Sequence, residues 1–234
     1  MSNRWGVEIS GEDVSIWAKI LKSPFDPYIE EIENEGRNYL VLRSSSFDQA
    51  ADASEIRAIA KGLIDVVNVA VTNNVGADPV ALGSVVEFVA GGPPRRVHFL
   101  EAEPIRIRLR AGPAELTLKD AQGNEVPAPP KPSVVQEWIR AAVLEPEIGH
   151  ALKYLAGNPG WFELYKAYEA LKRLPRGGIP KREIDRFTQT ANVGNRHHYK
   201  GWKPHKNPMQ LWEARALVVQ WISAAISDVL AKNP

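Results

Sequence analysis

No cysteine occurs among the 234 residues. That excludes disulfide bonds, thiolate zinc sites and thiol chemistry, and it suits a reducing compartment. No apolar run reaches membrane-spanning length. The opening MSNRWGVEIS lacks the apolar core of a secretory signal. The expectation is a cytoplasmic protein without a membrane partner. Recognisable catalytic motifs are also missing: there is no phosphate-binding glycine loop, no G-x-S-x-G elbow and no H-E-x-x-H. No cofactor is expected. A more local absence is the most informative. From Arg186 to Trp212 the chain carries no Asp or Glu at all.

What is present reads as an ordinary globular protein, with 44% hydrophobic and 24% charged residues. The net charge of +1 conceals opposed halves. Residues 1–132 carry 14 Lys+Arg against 19 Asp+Glu, and residues 133–234 carry 15 against 9. Opposite charge on the two halves suits two domains with different partners, or two that dock on each other. The segment NEVPAPPKPS at 124–133 places four prolines where they block both helix and central strand. It divides the chain into an acidic α+β domain (1–123), a Pro-rich linker (124–133) and a basic helical bundle (134–234).

In the first part WGVEIS alternates as a strand, and GEDVSIWAKILKS has helical spacing at Val14, Trp17, Ala18 and Leu21. YIEEIE, NEG and RNYLVLRS form a hairpin pattern. Ile56, Ile59, Ala60, Leu63, Val66, Val67 and Ala70 make one stripe of a long helix. GSVVEFVA, RRVHFLEA, IRIRLRA and AELTLKDA alternate as four further strands, and their short connections favour antiparallel pairing. The fold class expected is α+β, an antiparallel sheet crossed by a long helix.

After the linker the pattern is helical throughout. Pro146 predicts a kinked helix or two helices, and Gly157 a stop. Asn158 reads as the cap of the next helix with Pro159 at its first position, and Asn207-Pro208 repeats that signal. The stripe expected on that helix is Phe162, Tyr165, Tyr168, Ala170 and Leu171. The last helix places apolar residues at 211, 214, 218, 221, 222, 225 and 229. Trp138, Trp161, Trp212 and Trp221 read as bundle core. His98 and His150 read as structural. Glu163 and Glu169 either face the interior or pair outward with Lys166 and Lys172.

The carboxylate-free span holds the candidate chemistry. Arg186, Tyr199, Lys200, Trp202, Lys203 and Lys206 are the candidate nucleic-acid contacts: cations neutralise phosphates, and exposed rings stack on unpaired bases. The span also runs into a helix N-terminus, whose open N–H groups favour anions. The competing reading is a solvated connector, or one that neutralises the acidic half. As acid/base groups the candidates are His197, His198 and His205, with Arg196 holding a phosphate while an imidazole takes a ribose 2′-hydroxyl proton. Arg196 and His197 could equally cap the preceding helix. A metal site is not expected, because adjacent histidines point apart and no nearby carboxylate or thiolate completes a set.

Together WFELYKAYEALK, IDRFTQTAN, the Arg196-His197 pair, KNPM and NYLVLRSSSFDQAADASEIRAIAKGLIDVVN resemble a widespread family of uncharacterised bacterial proteins. The likeness covers most of the chain and brings no assigned activity. The helical part is also similar, more loosely, to HEPN domains, helical RNA-binding and RNA-cleaving modules frequent in bacterial defence and toxin systems. Their signature separates an arginine from a histidine by several residues at a helix junction. Here Arg196 is followed at once by His197 and His198, and His205 lies further on. The resemblance therefore implies a HEPN-like fold and an RNA-facing junction, with non-catalytic recognition as the main expectation. Were the chain an enzyme, it would be a metal-independent ribonuclease. The alternative is a non-enzymatic protein–protein or homodimerisation module.

Overall fold

The computed structural model describes residues 4–34, 36–99, 130–192 and 205–234. By internal contacts the chain forms two compact units. Unit 1 comprises Met1–Ile64 and Val71–Gln136, and unit 2 comprises Asp65–Ala70 and Glu137–Pro234.

Unit 1 is built on strands β1 (Trp5–Ser10), β2 (Tyr28–Asn34), β3 (Arg37–Arg43), β4 (Ala81–Glu87) and β5 (Arg95–Val97). They form an antiparallel sheet in the order β2-β3-β1-β4-β5. The strands IRIRLRA and AELTLKDA expected from the pattern lie outside the described residues, as does most of the Pro-rich linker. Helix α1 (Val14–Ile20) buries Trp17, whose indole Nε1 donates to the Asp78 carbonyl at 3.1 Å. A 3₁₀ turn at Ser45–Phe47 leads to the long α2 (Ala53–Asn74). Its start is fixed by Asp52, whose carboxylate accepts the Ser54 and Glu55 N–H groups at 2.9 Å each.

Alternation gives the sheet two faces. Trp5, Val7 and Val85 share one with Phe47, Ala50, Ile56 and Ala60, and these close the core of the unit. The other face carries the buried Val41 and Val86 together with covered charged groups. Arg43 lies over the Phe88 ring at 3.9 Å and pairs with Glu30 at 2.9 Å; Arg96 lies over Tyr39 at 4.2 Å and pairs with Glu8. Gly6 makes that stacking possible. A Cβ there would sit 2.4 Å from Val41 Cγ1 and 2.9 Å from Arg43 Cδ.

The described residues of unit 2 are helical, with α3 (Val134–Leu144) starting at the end of unit 1. Pro146 does divide the first pattern in two, since α4 (Pro146–Leu155) follows after Glu145 alone. Gly157 takes φ 72°, a left-handed turn beyond α4 that a side chain would strain. Then come α5 (Trp161–Leu171), α6 (Lys181–Asn192) and α7 (Leu211–Lys232). The chain is thus mixed α and β, and among the described residues the sheet lies in unit 1.

Both Asn-Pro starts need correction. The cap of α5 is Gly160, not Asn158, because Glu163 reaches back to the Gly160 N–H at 2.9 Å. The cap of α7 is Gln210, whose N–H donates to Glu213 at 2.7 Å. In each case a carboxylate three residues inside the helix sets the first turn, and the proline sits ahead of it. The core of α5 is Leu164, Ala167 and Leu171, while Phe162 is 54% exposed. Trp138 and Trp221 are buried as expected, but Trp212 is 72% exposed. It lies half a turn off the buried row Ala214, Leu217, Val218, Trp221, Ile222, Ala225, Ile226 and Val229. That helix has the length and hydropathy of a membrane span, the one such among the described residues, and it buries this row inside unit 2.

Candidate functional site

Helix α6 supplies the entry to the carboxylate-free segment and α7 the exit. The buried side of α6 is Ile184, Phe187, Thr190 and Ala191. Phe187 is fully buried among aromatic rings, with centroids 6.1 Å from Trp161, 6.3 Å from Tyr165 and 5.6 Å from Tyr168. Tyr168 continues to Trp221 at 5.8 Å. Burial raises the Tyr168 hydroxyl above its ordinary pKa, so it stays neutral.

Two side chains of α6 tie the junction shut. Thr190 Oγ1 donates to the Arg186 carbonyl at 2.8 Å and accepts the Met209 N–H at 3.0 Å. Arg186 does more. Its Nη2 reaches both Glu213 carboxylate oxygens at 3.0 and 2.9 Å, its Nε donates to the Asn207 carbonyl at 3.0 Å, and its Nη1 approaches Glu183 at 3.4 Å. The side chain is only 15% exposed. A guanidinium held this way is a clamp between α6 and the start of α7, and its donors are not presented to a ligand.

His205 folds back onto the same turn. Its Nδ1 lies 3.0 Å from the Asn207 N–H and 2.7 Å from the Asn207 carbonyl. The neutral ring can accept the first, and the protonated ring can donate to the second. Nε2 is therefore the nitrogen that remains for proton transfer. Lys206 is exposed. Arg196, His197, His198, Tyr199, Lys200, Trp202 and Lys203 lie outside the described residues. Among the described residues no three His, Asp or Glu side chains gather as metal ligands.

The remaining carboxylates and histidines have definite places. Glu169 pairs with Lys166 at 2.9 Å, the outward ion pair expected of that helix, and Glu163 accepts the N–H of Gly160, the cap of α5. His98 Nδ1 lies 2.8 Å from Ser84 Oγ. Sequence reading missed the clamp because its acid, Glu213, lies just past the carboxylate-free span, 27 residues from Arg186. The signal that could have found it is Q-x-x-E at 210–213, a capping box that fixes a carboxylate at the end of the basic segment.

The Gln210 N–H and then the Arg186 guanidinium hold the Glu213 carboxyl below its usual value of 4.5, against the opposing effect of burial. A carboxyl depressed by folding stabilises the native state above its unfolded pKa, and this is lost as pH falls through the lower folded value. Glu213→Gln should therefore lower the urea midpoint at neutral pH. The gap to wild type should close as the pH is taken below 4.5. A gap independent of pH would remove the ion pair from the account of the junction.

No family model, no curated protein and no solved structure matches this chain.

Proposed function

We propose that the protein binds RNA or another phosphate-bearing ligand through the basic segment that joins α6 to α7. One observation carries the reading. The carboxylates nearest the segment already have partners: Asp185 pairs with Lys181, and Glu183 and Glu213 are both engaged by Arg186. Arg196, Lys200, Lys203 and Lys206 then have no acid in their own stretch of sequence to neutralise them. An unneutralised cluster of cations with Tyr199 and Trp202 among them suits a phosphate backbone with unpaired bases. Arg186 is a positioning residue in this reading and holds the segment's two ends together. The looser sequence resemblance to HEPN domains, which implies an RNA-facing helix junction of a kind frequent in bacterial defence systems, would agree with it. Cleavage is not part of the proposal. Arg196, His197, His198 and His205 have the chemistry for phosphodiester cleavage, but their spacing is not that of the ribonucleases the bundle resembles.

Fluorescence anisotropy with a single-stranded RNA oligonucleotide tests this. Affinity should fall as salt rises, with about 0.7 counterions released per phosphate contact. Replacing Lys200, Lys203 and Lys206 by Ala should flatten the slope of log affinity against log salt by about 2 if each contacts one phosphate. Absence of binding at low salt would dismiss the RNA reading, and an unchanged slope would move the site elsewhere. A second reading, a protein–protein module, draws on Val143 and Leu144 at the end of α3, where Val143 is 76% exposed. It gains ground if RNA binding is absent and the chain sediments as a dimer.

A further inference from the structure

The hairpin of α4 and α5 lies within unit 2 and is separate in sequence from the 186–206 segment. Its inner side is apolar: Ile148, Ala151, Leu152 and Leu155 from α4, and Leu164, Ala167 and Leu171 from α5. Its outer side is a groove of about 560 Å³. His150, Lys153 and Tyr154 line it from α4, and Lys166, Glu169 and Ala170 from α5. The i, i+3, i+4 spacing puts each set on one flank of its helix. Ala170 is small, and that leaves the space open.

The charges in the groove are unequal. Two lysines and a histidine face one carboxylate, and Glu169 is bound to Lys166 at 2.9 Å. Lys153 has no carboxylate within ion-pair distance among the described residues. Two aromatic rings accompany the cations. Tyr154 is 39% exposed, and Phe162 carries Lys166 Nζ 5.9 Å from its ring centroid. An unpaired ammonium, a second ammonium shared with a carboxylate, an imidazole and an exposed phenol suit a ligand that joins an anion to a planar ring. The volume falls within the usual range for small-molecule sites.

We propose that this groove binds a nucleoside monophosphate unit. The phosphate sits between Lys153, Lys166 and His150, and the base stacks on Tyr154. The unit can come as a free nucleotide or as one residue of an RNA strand, since the contacts are the same. Lys166 turns from Glu169 to the phosphate or serves both, and Tyr154 supplies stacking together with a hydroxyl donor.

Calorimetric titration of the full chain with AMP, inorganic phosphate and a short single-stranded RNA separates the cases. AMP should bind saturably, and Lys153→Ala with Lys166→Ala should weaken it about tenfold or more, as loss of charge-assisted hydrogen bonds does. Tyr154→Ala should weaken AMP while leaving phosphate unchanged. The Lys200, Lys203 and Lys206 alanine variant should leave AMP binding intact, so failure of the loop reading and failure of this one are told apart. Saturable AMP binding assigns the free nucleotide as a source. Groove-sensitive binding of the oligonucleotide without AMP binding assigns the strand. The Lys153, Tyr154 and Lys166 side chains are at least partly exposed, and circular dichroism should show each variant folded. No saturable AMP binding, combined with oligonucleotide binding that is absent or indifferent to Lys153 and Tyr154, overturns the proposal. So does AMP binding that the groove variants leave unchanged.

Discussion

Phe187→Ala should destabilise unit 2 by about 3–5 kcal/mol, the usual cost of truncating a buried aromatic. Phe187 has no solvent exposure and sits against Trp161, Tyr165 and Tyr168. The Tyr165 ring lies 15° from parallel to it, so the loss includes ring–ring attraction as well as buried area. Removing the ring leaves a cavity that three large aromatics cannot collapse to fill. The expected order is wild type, then Phe187→Leu, then Phe187→Ala, read from urea midpoints followed by near-ultraviolet circular dichroism. Equal stability of the alanine and leucine variants would show that the site relaxes. The effect bears on function, because Phe187 stands between Arg186 and Thr190 in register. Those two side chains hold the ends of the basic segment. Under the proposed reading, a variant that loosens α6 should lose RNA affinity before it unfolds, and Phe187→Leu should keep it.

Local signals were legible in the sequence, and distant ones were not. The hairpin of β2 and β3, the break at Pro146 and the stop at Gly157 each depend on residues within a few positions of one another. Proline geometry and the left-handed turn decide them without help from the rest of the chain. The α2 stripe was legible in part: Ile56, Ala60, Val66, Val67 and Ala70 are buried, but so are Ile64, Val69 and Val71 off the stripe, where the helix is enclosed on more than one side. Trp212 was misplaced because its size argued for burial, while its phase on α7 puts it opposite the buried row. Phase wins there, since rotating α7 to bury one indole would expose Trp221 and Leu217. The caps of α5 and α7 were misplaced by two and three residues because Asn-Pro can precede a helix as readily as open it. Glu163 and Glu213 make the choice. As for the site, the basic segment is a pure composition signal, legible at once. The clamp that closes it is a pairing across 27 residues and has no local trace at Arg186.

Gln136 shows how large such a hidden contribution can be. It lies in the first turn of α3, within unit 1, and is 2% exposed. Ser133 and Gln136 cap one another: Ser133 N–H donates to Gln136 Oε1 at 3.0 Å, and Gln136 N–H donates to Ser133 Oγ at 3.2 Å. The S-x-x-Q spacing makes that part readable. The rest is not, because Gln136 Nε2 also faces the carbonyls of Lys22, Phe25 and Pro27 at 2.9, 3.0 and 3.0 Å. Two amide hydrogens thus serve three acceptors more than 100 residues away in sequence. Gln136→Leu keeps the volume and removes the donors. Each buried polar group left unsatisfied costs about 1–3 kcal/mol, and water can reach the less buried carbonyls, so a loss of roughly 3 kcal/mol is expected. Gln136→Glu supplies a sharper test. Its carboxylate would face three carbonyl oxygens, which favours the protonated form and raises its folded pKa above the unfolded value. Stability relative to wild type should then be greatest in acid and be lost as pH rises through the folded pKa. A leucine variant as stable as wild type, or a glutamate variant whose deficit does not grow with pH, would show that the 22–27 loop is held by something other than this amide.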